Sequence, residues 1–383
     1  MTVPTRASVV IVGSGVVGMS IAFHLAEAGV PGVVVLERDT PGSGSTCRAA
    51  GGFRAQFSDA LNIRIGARSI ELLSRFGERP GQQIDLRQDG YLFLLSRPAD
   101  VASFEQAVAL QNALGVPSRI VDPEEARRLS PLVDTAGVLA ASYSPLDGHC
   151  SPESVVMGYA AGARRAGARI VTHCEVLGIE TRGDHIIGVA TSQGTVTTPA
   201  VICAAGAWSA SVGAMAGVDL PVEPHYRQVA FTGPFPDAGR PPLTIDFTSG
   251  LYFRREGEGL LLGVTDPAQQ PGFDTRPSAS WLPCLHAALA ERAPRVLDAG
   301  LAGQWGGLYE VTPDHNALIG EAPGLSRFLY ATGFSGHGFM QSPAVGEVMR
   351  DLYLERVLEI DVSPFDARRF AGSSTPRAEA NFV

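Results

Sequence analysis

The stretch Val9-Val10-Ile11-Val12-Gly13-Ser14-Gly15-Val16-Val17-Gly18, answered by Glu37 at the end of a second apolar run, constrains this chain more than any other feature. Four apolar residues, all branched at Cβ, make a buried strand. Gly13 permits the tight turn, Gly15 lets backbone approach a pyrophosphate, and Gly18 lets the following helix pack closely. The helix expected over 16–28 turns its free N–H groups and the positive end of its dipole towards phosphates, and Gly29 ends it. Val33-Val34-Val35-Leu36 reads as the second strand, with the Glu37 carboxylate placed to accept ribose hydroxyls. A lone glycine motif says little. Strand, glycines, helix, strand and acid in register imply a bound dinucleotide.

Composition narrows the chemistry. All 30 basic residues of the 383 are arginine, which excludes a Schiff-base lysine, a P-loop lysine and any catalytic ammonium side chain. A net charge of −9 argues against nucleic acid as a partner. No apolar stretch approaches the ~20 residues of a membrane span, and the opening strand leaves no room for a signal peptide, so a cytoplasmic location is the expectation. Five cysteines in a chain of this length do not suggest a disulfide framework. His149-Cys150 and His173-Cys174 lack metal-ligand spacing. The second pair falls in a strand pattern over 169–176, where adjacent side chains point to opposite faces, so no metal site is expected.

The order of elements predicts an α/β fold with antiparallel insertions. Helices are expected over 59–77, twice within 100–131, and over 151–167, 279–292 and 342–356. Strands are expected at 91–95, 168–176, in a hairpin over 184–196, and at 200–204, 228–232, 250–254, 259–264 and 328–332. The first βαβ unit must therefore recruit strands from far along the chain. The expectation is a discontinuous, Rossmann-like dinucleotide-binding domain from 1–85, 146–215 and 301–370. A β-rich antiparallel substrate domain comes from 86–145 and 216–300, and a flexible tail spans 371–383. A ligand site between the two domains follows.

Further motifs recur in order: Ser45-Thr46-Cys47-Arg48, Ala204-Ala205-Gly206-Ala207-Trp208, Gly307-Leu308-Tyr309-Glu310-Val311-Thr312-Pro313-Asp314-His315 and Gly333-Phe334-Ser335-Gly336-His337-Gly338-Phe339. With the opening glycines they resemble the FAD-dependent amine oxidoreductases of the D-amino-acid-oxidase superfamily, and within it sarcosine oxidase of the β-subunit type and dimethylglycine dehydrogenase. The resemblance implies that Gly13, Gly15 and Gly18 hold the FAD pyrophosphate and that Glu37, with Arg38 beside it, holds the adenosine ribose. Ser45, Thr46, Arg48, Ala49, Ala50, Gly51 and Gly52 would pass along the cofactor, Val176 would meet the adenine, and Ala205 and Gly206 would border the pyrophosphate. Trp208 would either pack or touch the cofactor. Gly336, His337, Gly338, Phe339 and Met340 would meet the flavin. Backbone N–H groups at the start of the helix carrying Pro343 would there stabilise negative charge on the reduced ring. His337 would pack its ring beneath the flavin or move a proton.

The implied reaction is oxidation of a C–N bond in a small amine or amino acid, best a secondary N-alkyl amino acid, by hydride transfer to flavin N5 and hydrolysis of the imine. Arg54 would grip a carboxylate or serve a structural ion pair, and Tyr252 would face the substrate or the core. The sequence also departs from the resemblance. Arg48 and Gly307 stand where relatives attach flavin through histidine or cysteine, so FAD is expected to be non-covalent. An apolar residue near Leu261 replaces an oxygen-activating lysine, which favours a dehydrogenase over an oxidase. Met340 replaces a lysine that would clamp the carboxylate. The acceptor is oxygen or an electron-transfer partner. Two other readings stand open: a flavoprotein subunit of a hetero-oligomeric dehydrogenase, and a non-catalytic FAD-binding assembly protein.

Overall fold

Strands covered on both faces must be apolar at every position, and the two runs of the opening motif meet that demand. The computed structural model describes residues 3–236, 239–371 and 378–381. In it a six-stranded sheet has the order Leu318–Glu321, Phe328–Thr332, Val201–Cys203, Val9–Val12, Val33–Leu36, Arg169–Val171. The strands pair in parallel except for the antiparallel edge at Leu318–Glu321. Val9, Ile11, Val33 and Val35 pack on the helices Val16–Glu27, Pro152–Arg165 and Gly338–Tyr353. Val10, Val12, Val34 and Leu36 pack on a three-stranded antiparallel sheet of Val176–Arg182, His185–Thr191 and Gly194–Thr197.

The second large sheet has eight strands, in the order Leu301–Val311, Glu223–Thr232, Gly259–Gly263, Leu251–Glu256, Leu243–Asp246, Tyr91–Leu95, Ala140–Ser144, Arg119–Val121. All neighbours are antiparallel except Leu243–Asp246 against Tyr91–Leu95. One face, with Leu92, Leu94, Ala230, Leu251, Phe253, Leu260 and Leu262, packs on the helix Trp281–Arg292. The other face, with Tyr91, Ile245 and Tyr252, lines a cavity that also reaches Gly13 and Ala204 of the first sheet's turns. Among the described residues no helix is long and apolar enough to cross a membrane.

Several expectations need correction. The strand expected over 168–176 stops at Val171, because His173 takes a left-handed φ of +53°; the His173-Cys174 pair is therefore a turn. The segment from 301, expected with the dinucleotide-binding part, is the strand Leu301–Val311 and pairs with Glu223–Thr232 along its length. The strands Leu243–Asp246 and Arg119–Val121 are not among those expected, since each is too short to show an alternating pattern. The last helix begins at Gly338, not 342, so Pro343 lies inside it. The Ser342 hydroxyl donates to the Phe339 carbonyl (2.9 Å) and takes up the acceptor that proline leaves unpaired.

The tail is also different. Residues 372–377 and 382–383 lie outside the described residues, but Glu379 and Asn381 are buried. The Glu379 carboxylate accepts from the Ser58 N–H (3.0 Å), and the Asn381 carbonyl accepts from Arg54 (2.8 Å). A polar sequence here serves to satisfy buried donors, so composition misled the expectation of a free tail.

Candidate active site

The glycine turn is built as its spacing requires. Gly13 has φ +104°, and a Cβ there would stand 2.4 Å from the Ala204 carbonyl oxygen; one on Gly18 would stand 2.1 Å from the Gly13 carbonyl oxygen. At Gly15 the same position is open, with only Thr46 Oγ1 near it at 3.4 Å. Two glycines therefore serve the turn and the packing, and the third leaves backbone bare towards a cavity. At the helix start the Val16 N–H donates to Thr46 Oγ1 (3.0 Å). Glu37 Oε2 accepts from the N–H (2.9 Å) and hydroxyl (2.7 Å) of Ser14, and Oε1 from the Asp39 N–H (2.9 Å), which fixes the carboxylate at the strand end.

The cavity measures about 720 Å³ and runs from Glu37, Arg38 and Val176 past Gly15 and Thr46 to Gly336 and Met340. Every residue expected along the cofactor or the substrate lines it, except Gly18, which is turned into the helix–strand contact. At one end the Arg38 guanidinium lies over the Trp208 ring at 3.9 Å, and Trp208 stacks on Phe273 at 5.5 Å. Midway, the loop after Glu37 is tied to the strand Leu301–Val311. Ser45 Oγ donates to the Leu308 carbonyl (2.6 Å) and Arg48 Nη1 to the Gly306 carbonyl (2.9 Å). A Cβ on Gly307 would lie 2.9 Å from Arg48 Cβ, so the two positions at which flavin attachment was sought are neighbours, and neither carries a nucleophile.

At the far end alternate residues of the eight-stranded sheet form the floor: Tyr309, Arg227, Tyr252, Ile245 and Tyr91. Tyr252 leans on Gly263, where a Cβ would overlap its ring at 2.1 Å. Burial pushes the phenols of Tyr91, Tyr252 and Tyr309 above their ordinary value, so all three stay protonated at neutral pH. Opposite the floor stand Arg54, His337 and Met340, all buried. Arg54 lies over the Phe57 ring at 4.1 Å and donates to the Gln56 carbonyl. Its Nη2 also lies 3.1 Å from His337 Nε2. A guanidinium can only donate, so Nε2 accepts and the imidazole is neutral. Burial and then the Arg54 charge hold His337 well below its ordinary pKa. The ring sits edge-on to Phe57 at 5.1 Å, a packed arrangement.

Two carboxyls matter here, the buried Asp147 behind the Arg54 segment and the half-buried Glu310 on the cavity wall. Asp147 accepts from the Ala55 N–H (3.0 Å) and Gln56 Nε2 (3.1 Å), which pins the segment that carries Arg54, and burial pushes it up to about 6. Glu310 lines the cavity and is pushed up to about 7 by burial, against a hydrogen bond from the Thr332 hydroxyl (2.8 Å). Arg227, Tyr91, Tyr309 and Glu310 were not singled out from the sequence. For Arg227 the signal was present: in Tyr226-Arg227-Gln228-Val229 the strand alternates, but its start was expected at 228, five residues after the observed start at Glu223, which left Arg227 just outside.

Fold and site together define a two-part oxidoreductase scaffold. A bare glycine turn, a helix N-terminus and a fixed acid fit a dinucleotide, and the cavity continues into a chamber lined by tyrosine and arginine. The chain matches the family model of FAD dependent oxidoreductases, DAO, over residues 8–352, and it belongs to that family, whose cofactor is FAD. It is 34% identical to FAD-dependent oxidoreductase domain-containing protein 1 of Xenopus laevis, over 99% of this chain and 85% of that protein. It is 32% identical to mitochondrial dimethylglycine dehydrogenase of Mus musculus, over 97% of this chain but only 45% of the mouse protein. It therefore spans about half the length of that relative. A solved structure, L-proline dehydrogenase from P. horikoshii, matches with a TM-score of 0.91 at 34% identity, covering 96% of this chain and 99% of the other.

Proposed function

We propose that this protein oxidises the C–N bond of a small N-alkyl amino acid, with FAD held non-covalently and an acceptor other than oxygen preferred. One observation carries the reading: a single cavity joins the dinucleotide cradle to a chamber with buried arginine, protonated phenols and a neutral imidazole. Proline and dimethylglycine, for which two of the relatives are named, are both amino acids with alkylated nitrogen. Bound FAD supplies the two-electron acceptor. Gly15, the first turn of the helix Val16–Glu27 and Glu37 would hold its nucleotide half, and Gly336 to Met340 its ring.

The chain's own side chains set the protonation and pose of the substrate. Arg54 and Arg227 place positive charge beside the chamber, which disfavours an ammonium and selects the free amine. That form has the lone pair that C–N oxidation requires, so no strong base is called for. The phenols of Tyr252 and Tyr309 donate hydrogen bonds and close off water. With no lysine anywhere and Leu261 buried in its strand, no ammonium side chain stands ready to stabilise superoxide, which supports a dehydrogenase.

The test is anaerobic titration of the purified flavoprotein with N-methylglycine, N,N-dimethylglycine and L-proline, then admission of air. The expected result is bleaching by one of them and slow recolouring. Acid precipitation should leave the flavin in the supernatant. A flavin that dithionite reduces and no amine bleaches would falsify this reading.

A further inference from the structure

We infer that Arg227, not Arg54, grips the substrate carboxylate and so determines preference for acid substrates; this rests on the amino-acid reading above. A guanidinium holds a carboxylate with two parallel N–H bonds, either end-on through Nη1 and Nη2 or side-on through Nε and Nη2. Both modes draw on Nη2. In Arg54 that nitrogen already serves the Asn381 carbonyl (2.8 Å) and His337 Nε2 (3.1 Å), so both its hydrogens are spent. Nη1 serves the Gln56 carbonyl. Arg54 is a tie between the opening domain, the last helix and the tail.

Arg227 is in the opposite condition. Its Nη1 donates to the carbonyl of its neighbour Tyr226 (3.1 Å), while its buried Nε has no hydrogen-bond partner. Among the described residues no carboxylate lies within ion-pair distance of it. A buried cationic donor left unpaired is costly and rare, and a bound anion resolves it. The position suits a ligand. Arg227 lines the cavity and pairs in register with Gly307, which has no side chain to crowd it, and its Cζ lies 5.2 Å from the Tyr309 ring centre. The side-on Nε and Nη2 edge is the one left unclaimed, on the sheet face it shares with Tyr252 and Tyr309.

The experiment uses the FAD-loaded protein and two readouts. Isobutyrate, a carboxylate without an amine, is titrated against the flavin absorbance of the wild type, Arg227→Met and Arg227→Lys. N-methylglycine and its neutral amide are then compared as reductants. In Arg227→Met isobutyrate affinity should fall at least ~100-fold, and KM for N-methylglycine should rise in step and by a larger factor than KM for the amide. Arg227→Lys should fall between. Isobutyrate binding within threefold of wild type in Arg227→Met overturns the assignment, as does a wild type that binds no isobutyrate. Loss of isobutyrate in Arg227→Met while no amine bleaches the wild type upholds the anion site and sinks the oxidation. Bleaching by N-methylglycine with isobutyrate unaffected does the reverse.

Discussion

The two ends of the cavity are made by different means. At the Glu37 end the cavity wall is largely backbone: Gly13 and Gly15, a helix start and one carboxylate, all within 13–37 of the chain. At the Tyr252 end it is side chain, drawn from strands as far apart as Tyr91 and Tyr309. At Gly13 and Gly18 the cradle tolerates no added atom, because a Cβ there would meet backbone carbonyl oxygen. The chamber floor can be re-cut one side chain at a time, since each strand contributes through its outward face alone. A fold of this kind can keep its cofactor while changing its substrate.

The sharpest way to break that contrast is Gly18→Val. The new Cβ would meet the Gly13 carbonyl at 2.1 Å, and overpacking against backbone should cost about 3 kcal/mol or more. The expected product is colourless and unstable by urea titration; a stable yellow variant would show that the cradle is as plastic as the chamber.

Acid should also strike the cofactor side. His24 is buried between the helices Val16–Glu27 and Gly338–Tyr353 against Gly346, with Nδ1 donating to the Ser20 carbonyl (2.8 Å). Burial lowers its pKa from 6.5 to about 4. A depressed folded value means the stability is present above 6.5 and lost as pH falls through 4. The loss is about 3 kcal/mol between those limits. His24→Leu should flatten this part of the stability profile, followed by urea midpoints at pH 7 and 4.5. An unchanged slope would place the acid-sensitive group elsewhere.

Gly263→Ala tests the floor. Its Cβ would overlap the Tyr252 ring and turn it into the chamber. KM for the best amine should rise about tenfold, or ~1.4 kcal/mol, with FAD content unchanged. Loss of FAD instead would tie the two ends together. The smallest effect is expected from ending the chain after residue 377. This removes the Asn381 bond to Arg54 and the Glu379 bond to Ser58. About 1 kcal/mol of stability should go, read from the urea midpoint, while isobutyrate binding persists.

Much of the cradle could be read before any coordinates, because turn, helix and acid are local and follow one another within 13–37 of the chain. Gly13, Gly15 and Glu37 were assigned by spacing, and the cavity runs past each. The chamber was read in part. Arg54, Tyr252, His337 and Met340 were named through motif and resemblance, and all four line the cavity. Arg227 and Glu310 were passed over: one stood a residue outside an expected strand, and the other lay within the 307–315 motif, whose pattern does not say which side chain faces a cavity.

The sequence by itself determined that two buried parallel strands flank a glycine turn, since only an apolar run, a residue without Cβ and a terminal acid satisfy that geometry together. It also determined that no lysine chemistry operates here. Tertiary structure alone decided which arginine is free. Arg54 and Arg227 are the same side chain in the same cavity, and they differ only in what folding brings to their nitrogens. Arg54 meets the carbonyl of nearby Gln56 and, from two distant segments, the His337 imidazole and the Asn381 carbonyl. Arg227 meets a glycine across the strand and the face of a tyrosine. Hydrogen-bond saturation is set by neighbours far apart in the chain, and no local pattern encodes it.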